Sequence, residues 1–279
     1  MPRLTPNLAT SDNFPQRHPV VSYFALTFAI SWLGALAVAL PTLLRHQPIS
    51  KATGILMFPA MLLGPSLAGL LLTRVVDGRL GVRSLLSRIS LRHVCSRWYA
   101  VLILPPLLVL AVLLLLKGVV SPAFAPNFFA LGVVFGVPAG FLEEIGWTGY
   151  AFPKMRSANN AVAPAVLLGL LWSLWHLPVV DHLGAAAPHG AYGLPFFLAF
   201  GLAMTAMRVL IAWLYANTNS ILLAQLMHIS STAALVVFGA PHVSAAQETM
   251  WYTLYALILW LLAALVAKAF GKGLARQEL

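Results

Sequence analysis

Glu143 and Glu144 stand side by side in GVPAGFLEEIGWTGYAFP, a run otherwise apolar, glycine or aromatic, in a chain with only seven acidic residues. An ionised carboxylate in such surroundings costs several kcal/mol unless it is paired or hydrated. Two adjacent carboxylates also repel, so their charge has to be managed by a partner or a proton. A carboxyl group poised in this way is a competent general base. Neighbouring helix positions diverge by about 100°. One glutamate can therefore face a reacting group while the other anchors or orients it.

Few other ionisable groups fall inside apolar runs. His176 lies in LLGLLWSLWHLPVV, with Trp172 four residues earlier on the same helical face. His228 lies in SILLAQLMHISSTAALVV, with Gln225 three before and Thr232 four after, again on one face. Arg208 lies in AMTAMRVLIAWLY. Each histidine alone reads equally as a hydrogen-bonded core residue. Two histidines and two carboxylates from three different segments can converge. Such a set can orient a water beside a base, or hold zinc through Glu143, His176 and His228. No His-Glu-x-x-His helix is present to force the metal. Asp181 and His182 fall just past one segment and are expected at an interface.

The elements that must position these groups are hydrophobic. The chain has 279 residues, 60% of them hydrophobic and 9% charged, against about a quarter charged in a soluble domain. Eight runs, near 20–43, 53–73, 98–120, 128–150, 161–180, 193–215, 219–240 and 250–270, approach the ~20 apolar residues that cross a bilayer. The fold expected is an all-α, polytopic bundle of about eight transmembrane helices. It forms one domain over 20–270, between tails at 1–19 and 271–279. The first run is too long for a signal core. If the fourth run ends near Tyr150, Glu143 lies about 10 Å from its end. If the fifth begins at Ala161, His176 lies about 22 Å deep. The two should meet, so the boundaries between 150 and 164 are expected to shift.

The net charge of +10 does not point to nucleic acid, because of where it falls. With the N-terminus inside, thirteen of the 17 Lys and Arg lie inside, six of them arginines between 74 and 97. Only Arg45, Lys51 and Lys117 lie outside. This is the bias of a multi-pass protein, expected in the plasma membrane with both termini cytoplasmic. The basic stretch VVDGRLGVRSLLSRISLRHV reads as a helix lying on anionic lipid. The single cysteine, Cys95, can form no internal disulfide.

EEIGWTGYAFP, WSLWHLP and WLYANTNSILLAQLMHISSTA resemble, in order and spacing, the three motifs of the CAAX-protease and bacteriocin-processing (Abi) family of intramembrane proteases, related to the type II CAAX prenyl endopeptidase. The motifs are Glu-Glu-x-x-x-Arg, Phe-x-x-x-His and His-x-x-x-Asn, and the likeness covers about 128–240. It implies that Glu143 and Glu144, with His176, activate water to attack a peptide carbonyl, and that His228 stabilises the oxyanion. It implies a protein or peptide substrate in the bilayer. Members are described both as metalloproteases, which implies zinc, and as metal-free glutamate enzymes.

Three positions depart from the family. Thr148 replaces the arginine, Trp172 the phenylalanine and Thr232 the asparagine. Threonine still donates one hydrogen bond, and Ser231 is a neighbouring candidate. With the motif arginine gone, Arg208 is the one cation inside a segment and is expected to balance the glutamates. Two other readings stay open: a catalytically weak or inactive immunity or membrane partner protein, and a proton-coupled transporter.

Overall fold

The computed structural model describes residues 13–91 and 93–275. Arg3, Arg92, Arg276 and most of the expected N-terminal tail lie outside the described residues. The long helices are α1 (Pro19–Leu44), α2 (Lys51–Val76), α3 (Gly78–Ile89), α4 (Leu104–Val119), α5 (Val133–Gly146), α6 (Val162–Trp175), α7 (Gly193–Thr218), α8 (Ile221–Phe238) and α9 (Ala245–Phe270). Among the described residues there is no strand, only an isolated bridge between Ser157 and Asn160. Seven helical stretches are long and apolar enough to cross a bilayer, and α6 is a shorter apolar helix. These are the eight places where apolar runs occur. The outward faces carry exposed leucines such as Leu33, Leu198, Leu257 and Leu261. This is a multi-pass membrane bundle.

Prolines set where helices end and where side chains must intervene. Pro178 has no N–H to give to the Leu174 carbonyl. So α6 ends at Trp175, not near 180, and His176 caps it. At 14 residues α6 is about 21 Å long, too short to span. Pro65, inside α2, gives no N–H to the Met61 carbonyl; Ser31 Oγ of α1 donates to it instead, at 2.7 Å.

The fourth run continues past Tyr150. After α5 the chain makes a π-helical turn, Trp147–Ala151, and a last turn, Phe152–Met155. The Phe152 N–H reaches back five residues to the Trp147 carbonyl. Pro153 denies the Gly149 carbonyl its α-helical donor, and Arg88 Nη2 of α3 supplies one at 3.1 Å. The extra five residues put Glu143 about 18 Å from the helix end rather than 10 Å. That removes the mismatch of depth with His176.

Glycines let the site-bearing helices touch. Gly132, Gly136 and Gly140 repeat every four residues on α5. A Cβ on Gly136 would lie 2.9 Å from the Ala233 nitrogen, and one on Gly140 would lie 2.7 Å from the Ile229 nitrogen. Helices α5 and α8 therefore meet backbone to backbone, as small-residue repeats allow in membranes. In the same way Gly169 of α6 sits on Thr205 of α7, where a Cβ would be 2.7 Å from the Thr205 Cα.

The basic stretch forms α3. Leu85 is buried beneath the bundle, while Arg79, Leu80, Arg83 and Leu86 point outward. The loop after α6 is held by Glu248 at the start of α9. Its carboxylate accepts the Ala185 and Ala186 N–H groups at 3.0 and 2.8 Å and lies 3.2 Å from His189 Nε2.

Candidate active site

Glu143 and Glu144 are both fully buried near the C-terminal end of α5, and their side chains diverge as adjacent helical positions must. Glu144 turns toward α7 and α8. Its Oε2 accepts from Arg208 Nη1 at 2.7 Å and from the Thr148 hydroxyl, and its Oε1 accepts from His228 Nδ1 at 2.7 Å. Thr148, standing where the family motif has arginine, is thus a hydrogen-bond donor to the same glutamate. Both partners of the ion pair are buried, Arg208 being 1% exposed. The close α5–α8 contact at Gly136 and Gly140 is what brings Glu144 within reach of His228.

Glu143 turns toward α6. Its Oε2 accepts two indole N–H groups, from Trp172 at 2.7 Å and from Trp147 at 3.1 Å. Its Oε1 is buried and has no partner. One carboxylate is therefore saturated by cationic and hydroxyl donors, and its neighbour keeps an oxygen free.

Trp172 is the hub of the arrangement. The Arg208 guanidinium lies 4.3 Å above its ring, and the His228 ring packs edge-on at 5.0 Å. The tight Gly169–Thr205 contact holds α6 against α7, and the long Trp172 and Arg208 side chains reach each other between them. Desolvated cation–π contacts of this kind are worth about 2 kcal/mol. The Trp172 carbonyl accepts from His176 Nδ1 at 2.8 Å. A carbonyl can only accept, so Nδ1 carries the proton and Nε2 of the neutral ring is an acceptor. The His176 ring is walled by Phe58, Trp175 and Phe200.

The four candidate groups thus lie in one buried cluster, without all touching. Glu144 and His228 are bonded directly, whereas Glu143 and His176 are joined through Trp172. Thr232 is half-buried one turn past His228, and among the described residues its hydroxyl makes no hydrogen bond. Gln225 donates to the Phe141 carbonyl at 2.9 Å and so ties α8 to α5. The expected zinc donors are not gathered. Among the described residues no three His, Cys, Asp or Glu side chains come together as a metal site. Trp147 was not singled out from the sequence, although its position four after Glu143 places it on the same face.

Residues 125–234 match the family model described as type II CAAX prenyl endopeptidase Rce1-like. This core resembles the Rce1-like family. The matched stretch contains every candidate residue named above and coincides closely with the 128–240 region picked out by the three motifs. A curated relative, CAAX prenyl protease 2 of Methanococcus maripaludis, is 33% identical over 115 residues. The alignment covers 39% of this chain and 39% of the relative. The chain therefore matches well under two thirds of that protein. Helices α1 to α4 and α9 lie outside the Rce1-like segment.

Proposed function

We propose that the protein is an intramembrane endopeptidase that hydrolyses a peptide bond with a glutamate-activated water. The observation that carries this reading is the unequal treatment of two adjacent glutamates. Glu144 is held charged by Arg208, Thr148 and His228, while Glu143 retains a free oxygen among indoles in a buried site. A water donating to Glu143 Oε1 and to His176 Nε2 would keep its lone pairs for a carbonyl carbon. Glu143 takes one proton as the carbon–oxygen bond forms. The carbonyl oxygen then becomes negative, and His228, held as a donor by Glu144, offers Nε2–H to it. Glu143 returns its proton to the amine as the carbon–nitrogen bond breaks. Thr232 is the nearest further donor. No step is routed through zinc, because the donor set is not assembled for one.

In this reading the protein sits in the plasma membrane, with its arginine-rich face and both termini cytoplasmic. Water and the scissile bond enter from that face. The relative's name makes prenylated peptides ending in a CAAX sequence the first probes. The decisive assay uses purified protein in lipid vesicles and a panel of quenched peptides, prenylated and not. Cleavage by the wild type that is lost in Glu143→Gln supports the reading. The replacement of the motif arginine and asparagine by Thr148 and Thr232 favours the alternative, a non-catalytic membrane partner. That alternative requires a folded Glu143→Gln protein to keep its biological effect.

A further inference from the structure

A set of buried oxygens adjoins Glu143 from outside the Rce1-like segment. Tyr23 of α1 is completely buried, and among the described residues its hydroxyl has no partner in good hydrogen-bond geometry. Its ring packs edge-on against Trp147 at 5.5 Å and beside Tyr150 at 5.4 Å. Trp147 is the indole that donates to Glu143. The phenol oxygen rests on Gly146, one turn after Glu143: a Cβ there would lie 2.4 Å from Tyr23 Oη and 2.2 Å from the Pro65 carbonyl. Glycine at 146 is what admits the hydroxyl. Thr27 Oγ1, one turn along α1, is the hydroxyl neighbouring the phenol, outside good hydrogen-bond geometry.

Buried polar groups in folded proteins nearly always find partners. Two oxygens without a partner among the described residues adjoin one indole, on Tyr23 and Glu143, and form a setting that suits a water. Glu143 and His176 offer that water only acceptors. A phenol is un-ionised near neutral pH and offers a donor. That completes the tetrahedral demand of a water whose remaining lone pair must face a carbonyl.

We propose that Tyr23 is a further catalytic residue, its hydroxyl donating to the attacking water held at the free oxygen of Glu143. The assignment rests on the peptidase reading above. Tyr23 stays protonated throughout: the water gives its proton to Glu143, and the phenol keeps its hydrogen bond to the same oxygen in the tetrahedral adduct. The role comes from α1, so the matched segment alone would lack it.

Tyr23→Phe tests this. The substitution removes one oxygen that has no partner in good hydrogen-bond geometry among the described residues, so a packing role predicts unchanged or raised Tm. In vesicles, with the prenylated and unprenylated quenched peptides, we expect kcat to fall about tenfold or more while KM stays within about twofold and Tm is not lowered. The infrared band of the Glu143 carboxyl group, assigned by its loss in Glu143→Gln, should shift in Tyr23→Phe. Wild-type kcat and an unshifted band in Tyr23→Phe, beside an inactive Glu143→Gln, would overturn the role of Tyr23 and leave the peptidase reading standing. Full cleavage by both variants sinks the Glu143 mechanism, and the role of Tyr23 with it. If none of the peptides is cut, the infrared band decides: a shift supports the shared water and its absence refutes it.

Discussion

Arg208 Nη1 and Glu144 Oε2 meet at 2.7 Å with both side chains buried, and the same carboxylate accepts from His228 on its other oxygen. Removing one partner of a buried ion pair leaves an uncompensated charge, at a cost of about 3–5 kcal/mol. Arg208→Ala should therefore lower Tm sharply in thermal denaturation and abolish peptide cleavage. Thr148 donates to the same glutamate from the position where the family motif has arginine. Thr148→Arg placed in the Arg208→Ala background should recover part of the lost Tm. An Arg208→Ala protein as stable and active as wild type would show that Glu144 does not depend on this cation.

Much of this cluster was legible in the sequence because charge is rare there. Seven acidic residues and five ionisable groups inside apolar runs left few candidates, and spacing named Trp172 as the partner of His176. Three things were not legible. The free oxygen on Glu143 depends on which indole turns toward it, which no periodicity encodes. The fourth run was expected to end near Tyr150, whereas a π-helical turn carries the chain on to Met155. Tyr23 was not singled out, since nothing in α1 signals what faces it from α5. The repeat Gly132, Gly136, Gly140 could have been read as a helix contact, but a glycine pattern does not say which helix it meets.

That contact gives a sharp comparison. A Cβ on Gly140 would lie 2.7 Å from the Ile229 nitrogen and 2.8 Å from the Gln225 carbonyl oxygen, while one on Gly118 of α4 meets nothing within 4 Å. Gly140→Ala should cost on the order of 1–3 kcal/mol by forcing α5 and α8 apart, and should cut activity by moving Glu144 from His228. Gly118→Ala should be neutral or stabilise by about 0.5–1 kcal/mol, as alanine does in an open helical position. Equal melting temperatures for the two variants would contradict the backbone contact.

The donor geometry bears on zinc. Glu143 is held by two indoles and reaches neither histidine directly, and among the described residues no three metal-binding side chains come together. The expected result is substoichiometric metal in elemental analysis of purified protein, and cleavage that survives a strong chelator. A full equivalent of zinc, lost in both His176→Ala and His228→Ala, would require a different arrangement of these side chains.

Arg88 links the basic helix α3 to the turn that carries the site. Its Nη2 donates to the Gly149 carbonyl at 3.1 Å and its Nη1 to the Tyr215 hydroxyl. Gly149 needs that donor because Pro153, four residues on, has no N–H. A charged hydrogen bond of this kind is worth about 1.5–3 kcal/mol, less where solvent reaches it. Arg88→Ala should lower Tm by an amount in that range. It should also loosen the π-helical turn from which Trp147 and Thr148 donate to the two glutamates, so cleavage should fall with it. Pro153→Ala restores the missing N–H. In the Arg88→Ala background it should recover part of the Tm, because Gly149 can then be satisfied within its own helix. No recovery in the double variant would mean that Arg88 acts through Tyr215 alone.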